Sequence, residues 1–148
     1  MRRMRWTIAL LVMMVGAPKA EAACTVTATA VAFGSYDVFA AGPTDSTGTI
    51  IYRCAASDHD IRIAISAGTS GTFANRTLKT GSENLLYNLF YGGFTQVWGD
   101  GSGGTTTYYI KNPPNNLDVT LVVFGRITAG QDVGIGSYTD TVVVTLEY

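Results

Sequence analysis

Charge is scarce in this sequence: 14% of its 148 residues are charged, against roughly 25% in an average globular chain. With 47% hydrophobic residues beside it, that scarcity argues against disorder, because disordered chains are highly charged and poor in apolar side chains. Basic residues do not dominate either. Ten stand against eleven acidic ones, so the electrostatic footprint of a nucleic-acid partner is missing. The apolar run Thr7 to Ala17 has only 11 residues, where a bilayer span needs about 20, so no stable membrane insertion is expected. The length itself excludes a large multidomain enzyme and leaves room for one domain or two very small ones.

Catalytic chemistry is also thin. The single histidine, His59, lies between Asp58 and Asp60. A catalytic base needs a nucleophile and an orienting acid around it, and neighbouring residues of a strand point to opposite faces. This triplet therefore reads as a solvated turn rather than a catalytic or metal site. Gly99-Asp100-Gly101-Ser102-Gly103-Gly104 matches the serine-protease GDSGG only with an inserted glycine, and the chain is too short for the two barrels of such proteases. No lysine and no helix pattern follow it, which excludes a phosphate loop; a hairpin turn is expected. Asn75-Arg76-Thr77 fits a glycosylation triplet that is common by chance. No pair of carboxylates stands out. The chain reads as a protein that is not an enzyme and carries no cofactor or metal.

What is present begins with an export pattern. Arg2, Arg3 and Arg5 precede the apolar run, Pro18 and Lys19 break it, and Ala20-Glu21-Ala22 offers small residues where a signal peptidase reads. Residues 1–22 are expected to be a signal peptide and 23–148 the mature domain; a short buried or amphipathic helix is the other reading of the run. Glu21 stands where a lipid-attachment box wants leucine, so lipidation at Cys24 is not expected. The remainder has 6 basic and 10 acidic side chains, net −4. An even pair of cysteines, Cys24 and Cys54, in an exported chain argues for a disulfide. It would close a loop of 31 residues, stabilising the fold by roughly 3–4 kcal/mol on loop entropy. The rival, a metal or redox pair, lacks a CxxC spacing and a second ligand cluster.

The mature chain is patterned for an all-β fold. Cys24 to Phe33, Thr49 to Ala55, Ile61 to Ile65, Leu117 to Ile127 and Thr139 to Tyr148 are alternating or β-branched. Glu83 to Tyr91 spaces Leu85, Leu86, Leu89 and Phe90 as a helix would, yet it is short, uncapped and followed by two glycines, and reads as a buried strand. Turn-rich pieces separate these runs at 41–43, 67–71, 99–104, 112–116 and 130–137. Short strands at such spacing predict a sandwich or barrel.

The end of the chain is the most regular part. Val142, Val144, Leu146 and Tyr148 fall on one face, and Val143, Thr145 and Glu147 on the other. An apolar strand face needs cover and its edge needs a pairing partner, supplied either by the chain's own sheet or by another polypeptide.

Three segments carry a family resemblance: Arg76-Thr77-Leu78 with Leu86 to Phe90 and Trp98-Gly99-Asp100; Val123 to Ile127 with Gln131; and Gly136-Ser137-Tyr138-Thr139-Asp140-Thr141-Val142-Val143-Val144-Thr145. Together with Cys24 and Cys54, they resemble the spore coat protein U domain, which also builds subunits of archaic chaperone–usher pili of the Csu type. The resemblance covers essentially the whole mature chain. It implies an incomplete immunoglobulin-like sandwich lacking one strand and completed by a donated one. The implied partners are a periplasmic chaperone, an outer-membrane usher and a neighbouring pilus subunit. The implied route runs through the periplasm to the cell surface. Val142, Val144, Leu146 and Tyr148 become the partner-strand positions, and the Tyr148 carboxylate the group a chaperone grips. A polymerising subunit of this kind needs roughly ten residues before its first strand to cross a groove at about 3.3 Å each. Only Ala23 precedes Cys24 after the expected cleavage, so this subunit is expected to accept a strand without donating one, at a tip or terminating position. Two other roles go with the same fold. One is a spore or cell-surface coat protein. The other is a surface adhesin module that uses Phe94, Trp98, Tyr108 and Tyr109.

Overall fold

The computed structural model describes residues 24–148; the expected signal peptide and its cleavage site lie outside the described residues. Nine strands are found among them: β1 Cys24–Ala28, β2 Thr44–Cys54, β3 Ile61–Ile65, β4 Arg76–Thr80, β5 Glu83–Tyr91, β6 Gln96–Val97, β7 Tyr108–Ile110, β8 Val119–Ile127 and β9 Val144–Glu147. The first sheet runs β1-β2-β8-β5-β4, with β6 added on β5, and the second runs β7-β3-β9. Every strand pairing is antiparallel. The fold is all-β.

Period-two patterning explains the core. In β3, Ile61, Ile63 and Ile65 are buried while Arg62 points out. In β5, Leu85, Tyr87 and Leu89 turn inward and Leu86 outward, so the leucines that a helix would have gathered on one stripe are divided between two faces. Trp98, without exposed surface, lies between the sheets and donates its Nε1–H to the Ile63 carbonyl at 3.0 Å. The Tyr52 and Tyr108 hydroxyls bond across the core at 2.8 Å.

Four expectations differ from what is observed. The strand expected over Cys24 to Phe33 leaves its ladder after Ala28, because the chain there turns over the inner face of the first sheet. Thr29 N–H still donates to Thr49 O at 2.8 Å, but Val31 and Phe33 come to rest on Gly48 and Gly125. A methyl group on Gly125 would sit 2.6 Å from Val31 Cγ1 and 2.7 Å from Phe33 Cζ. The strand expected from Thr139 is a ladder only from Val144. Its first half instead crosses between sheets, pairing Thr139 with Lys79 at the edge of the first. The glycine run at 99–104 is not a hairpin turn but a crossover from β6 in the first sheet to β7 in the second, with left-handed φ at Gly101, Gly103 and Gly104. Finally, β4, β6 and β7 form where the sequence reading assigned no strand.

The glycine contact predicts a test. Gly125→Val forces Val31 and Phe33 off the sheet. Overpacking of this kind costs about 1–3 kcal/mol, so thermal melting of the chain co-purified with its expected chaperone should drop by several degrees, and an unchanged Tm would mean that the 29–33 segment does not bear on this position.

Candidate functional site

Strand β9 pairs with β3 alone. Its opposite edge has no partner strand among the described residues, in a sheet of only three strands. Across from that edge runs the segment 28–39, and a groove separates the two. Its first part, a cavity of about 320 Å³, is walled by Ala28, Val31 and Phe33 on one side and by Asp140, Val142 and Val144 on the other. Ile50, Leu89 and Val123 form its floor. The second part, about 810 Å³, continues between residues 30–39 and 133–140. Both parts share Val31, Phe33, Leu78 and Asp140, so they are one continuous slot between the sheets.

The four residues expected to meet a partner strand are placed differently. Val142 and Val144 line the slot, half-buried. Leu146 packs, half-buried, against the core further along the same face. Tyr148 lies beyond the end of β9 and is 57% exposed. Val143, on the other face, is 60% exposed.

A buried polar network holds β9 at the slot's edge. Arg76 has no exposed surface. Its guanidinium donates to the carbonyls of Ile65, Ser66 and Trp98 and to Asn88 Oδ1, at 2.7–3.2 Å. Burial pushes its pKa down, and the neighbouring Tyr87 and Asp140 oppose that shift. Ser66 in turn pairs with Val143: its N–H donates to Val143 O, and its Oγ accepts from Val143 N–H, both at 2.9 Å. Asp140 accepts bonds from Tyr87 Oη at 2.7 Å, Thr69 N–H at 2.9 Å and Thr141 N–H at 2.8 Å. The Tyr87 phenol is pushed up, first by burial and then by that bond. No buried side-chain polar atom among the described residues lacks a partner.

Two further devices pin the far end. The Gln131 amide accepts from Leu86 N–H at 2.7 Å and donates to Leu86 O at 2.8 Å, so one side chain imitates a strand neighbour. Glu83 accepts from Tyr138 Oη at 2.7 Å and from Gly134 N–H. These bonds hold the Glu83 carboxyl below its usual range and push Tyr138 up to about 12. Arg76, Asp140 and Gln131 fall within the family motifs, but the motifs alone do not reveal these roles. Ser66 and Glu83 carried no signal at all.

Cys24 and Cys54 are joined as a disulfide with Cα atoms 4.1 Å apart, directly opposite each other in the β1–β2 register. Asp58 lies beside the two sulfurs, but sulfurs bonded to each other are not thiolate ligands, so the trio does not make a metal site. Replacing both cysteines by serine is expected to lower unfolding free energy by about 3–4 kcal/mol, measured by denaturant titration of the chain co-purified with its chaperone; a loss below about 1 kcal/mol would show that the β1–β2 ladder holds without it. His59 is exposed in the 55–60 loop. Of the four aromatic residues weighed as an adhesive set, Trp98 and Tyr108 are buried, Phe94 is half-buried, and Tyr109 is half-exposed. They do not form one surface.

A family model described as the Spore Coat Protein U domain matches residues 9–145. The chain belongs to the spore coat protein U domain family. Among solved structures, this spore coat protein U chain is similar to one from Acinetobacter baumannii, a CsuC-CsuE chaperone-tip adhesion subunit pre-assembly complex from archaic chaperone-usher Csu pili. The match has 25% identity and a TM-score of 0.57 and covers 84% of this chain. The chain spans 39% of the length of that relative. A second, a chaperone-usher pilus, matches with 15% identity and a TM-score of 0.51 over 100% of this chain and 98% of its own; that likeness is one of fold. Comparison with curated proteins finds no match. No helix among the described residues is long and apolar enough to cross a membrane.

Proposed function

We propose that this chain is a non-catalytic, exported subunit of a chaperone–usher surface fibre that is completed by a strand from another polypeptide. The observation that carries this reading is the unpaired edge of β9 beside an apolar slot. Main-chain groups along such an edge supply affinity to an added strand, and the pockets beside it choose the side chains. Each aliphatic side chain newly buried contributes roughly 1.5–3 kcal/mol, a large share of a net stability of about 5–15 kcal/mol. A periplasmic chaperone lends the strand first, and a neighbouring subunit replaces it at the outer-membrane usher. The spore coat protein U family and the likeness to Csu-type subunits support the choice of fibre over enzyme. The signal peptide of residues 1–22 supplies export, and 23–148 is the pilin domain.

Co-expression with the chaperone of its own secretion system should yield a soluble one-to-one complex from the periplasm, while the mature chain alone aggregates. A lone mature chain that is monomeric, soluble and cooperatively folded overturns the proposal. A spore coat role would show as expression confined to sporulation, with no chaperone required.

A further inference from the structure

We infer that the end of the sandwich carrying Phe39 and Ile135 is a docking surface for the body of the strand-donating subunit, separate from the strand itself. The inference rests on the strand-accepting reading above. Phe39 is 93% exposed and Ile135 110%, values at which a large apolar side chain has almost no protein cover. Both line the wide part of the slot, one on each wall. A pair of bare apolar groups continuous with a binding groove marks an interaction surface rather than scattered exposure.

Neither residue sits on a loose loop. Phe39 N–H donates to Asp37 Oδ1 at 2.9 Å, and Ala40 N–H to Asp37 O at 3.1 Å, closing a turn. Ile135 follows Gly134, whose N–H is held by Glu83, and Glu83 is held in turn by Tyr138. Both side chains are thus presented on pinned backbone and lose little freedom when covered.

The direction of the donated strand names the occupant. All pairings in both sheets are antiparallel, and a strand added to β9 in the same way runs opposite to it. The chain approaches β9 from Asp140, at the Phe39–Ile135 end, and leaves toward Tyr148. The added strand therefore finishes at the Phe39–Ile135 end. In a subunit of this fold, β1 starts at the opposite end, where Cys24 faces Cys54. A donor strand that precedes β1 thus brings that end of its own domain against Phe39 and Ile135. The matching end of this chain itself shows exposed apolar groups, Leu117 at 61% and Tyr148 at 57%. The contact is heterologous and head-to-tail, and the occupant is a like-fold subunit.

The test uses the chain carrying both Phe39→Ser and Ile135→Ser, purified in its chaperone complex, against two probes. One is a synthetic peptide of the N-terminal extension of a like-fold subunit from the same fibre; the other is that subunit whole. The inference expects the whole subunit to be held roughly 10- to 100-fold less tightly, the peptide to lose several-fold less than the whole subunit, and a Phe39→Leu, Ile135→Val chain restored. Equal loss with both probes places the effect in the groove and overturns the inference. No loss with either probe overturns it as well. If neither probe binds the unaltered chain, the strand-accepting reading itself fails and takes this inference with it.

Discussion

Val142→Asp is expected to weaken strand capture at least about 100-fold, close to 3 kcal/mol at 1.4 kcal/mol per factor of ten. Val142 lines the slot, half-buried, just before β9 begins. While the slot is open, a carboxylate there reaches water, and the uncovered chain tolerates it. Once a strand lies over it, the same carboxylate must shed its hydration without a countercharge, a penalty of several kcal/mol for an ion. The cost therefore falls on the complex rather than on the fold. Its measure is the yield and lifetime of the chaperone complex. Val143→Asp is the matched control, because Val143 is 60% exposed on the other face and should leave the complex unchanged. Equal effects at the two neighbours would mean that the period-two face is not what a partner reads.

Arg76→Leu is expected to remove about 3–5 kcal/mol of stability, a large share of the net stability of a domain this size, about 5–15 kcal/mol. The substitution keeps apolar bulk but strips the partners from the carbonyls of Ile65, Ser66 and Trp98. Buried acceptors left unpaired cost about 1–3 kcal/mol each. Those carbonyls lie at the end of β3, just past it, and just past β6, so their loss loosens both sheets at once. Ser66 is also the residue that pairs with Val143, which ties the damage to the edge of the slot. Melting of the chaperone-bound chain should fall by roughly 10–20 °C, with the Cys24–Cys54 bond still formed. Arg76→Lys, which keeps the charge but not the planar fork, should recover only part of the loss. A shift below about 2 °C for the leucine variant would show that the guanidinium is not structural.

Legibility followed the range of the interaction. Ile61, Ile63 and Ile65 announce β3 by alternation alone, and the strand occupies those residues. Glu83 to Tyr91 was ambiguous on spacing, yet its length and the glycines after it pointed to a strand, which is what forms. By contrast, the Arg76–Thr80 stretch holds one large apolar residue, Leu78, and gives no periodic signal; it becomes a strand because β5 lies alongside. Arg76 in particular reads as a solvated charge. Only the convergence of three carbonyls and Asn88 Oδ1 on its guanidinium makes its burial affordable. The glycine run at 99–104 reads as a hairpin turn, yet it crosses from one sheet to the other, because which strands its ends join is set by the packing of the two layers.

The local pattern was enough to determine an all-β chain, an apolar face on its last strand and a cysteine pair suited to a bridge, since alternation and spacing are properties of neighbours along the backbone. The slot was not contained there. Its walls, 28–39 and 133–144, stand about a hundred positions apart in the chain, and they face each other only because β1 leaves its ladder at Ala28 while the 139–143 segment changes sheets. Which apolar residues are covered and which are left bare is a property of packing, and packing is set by all the strands together.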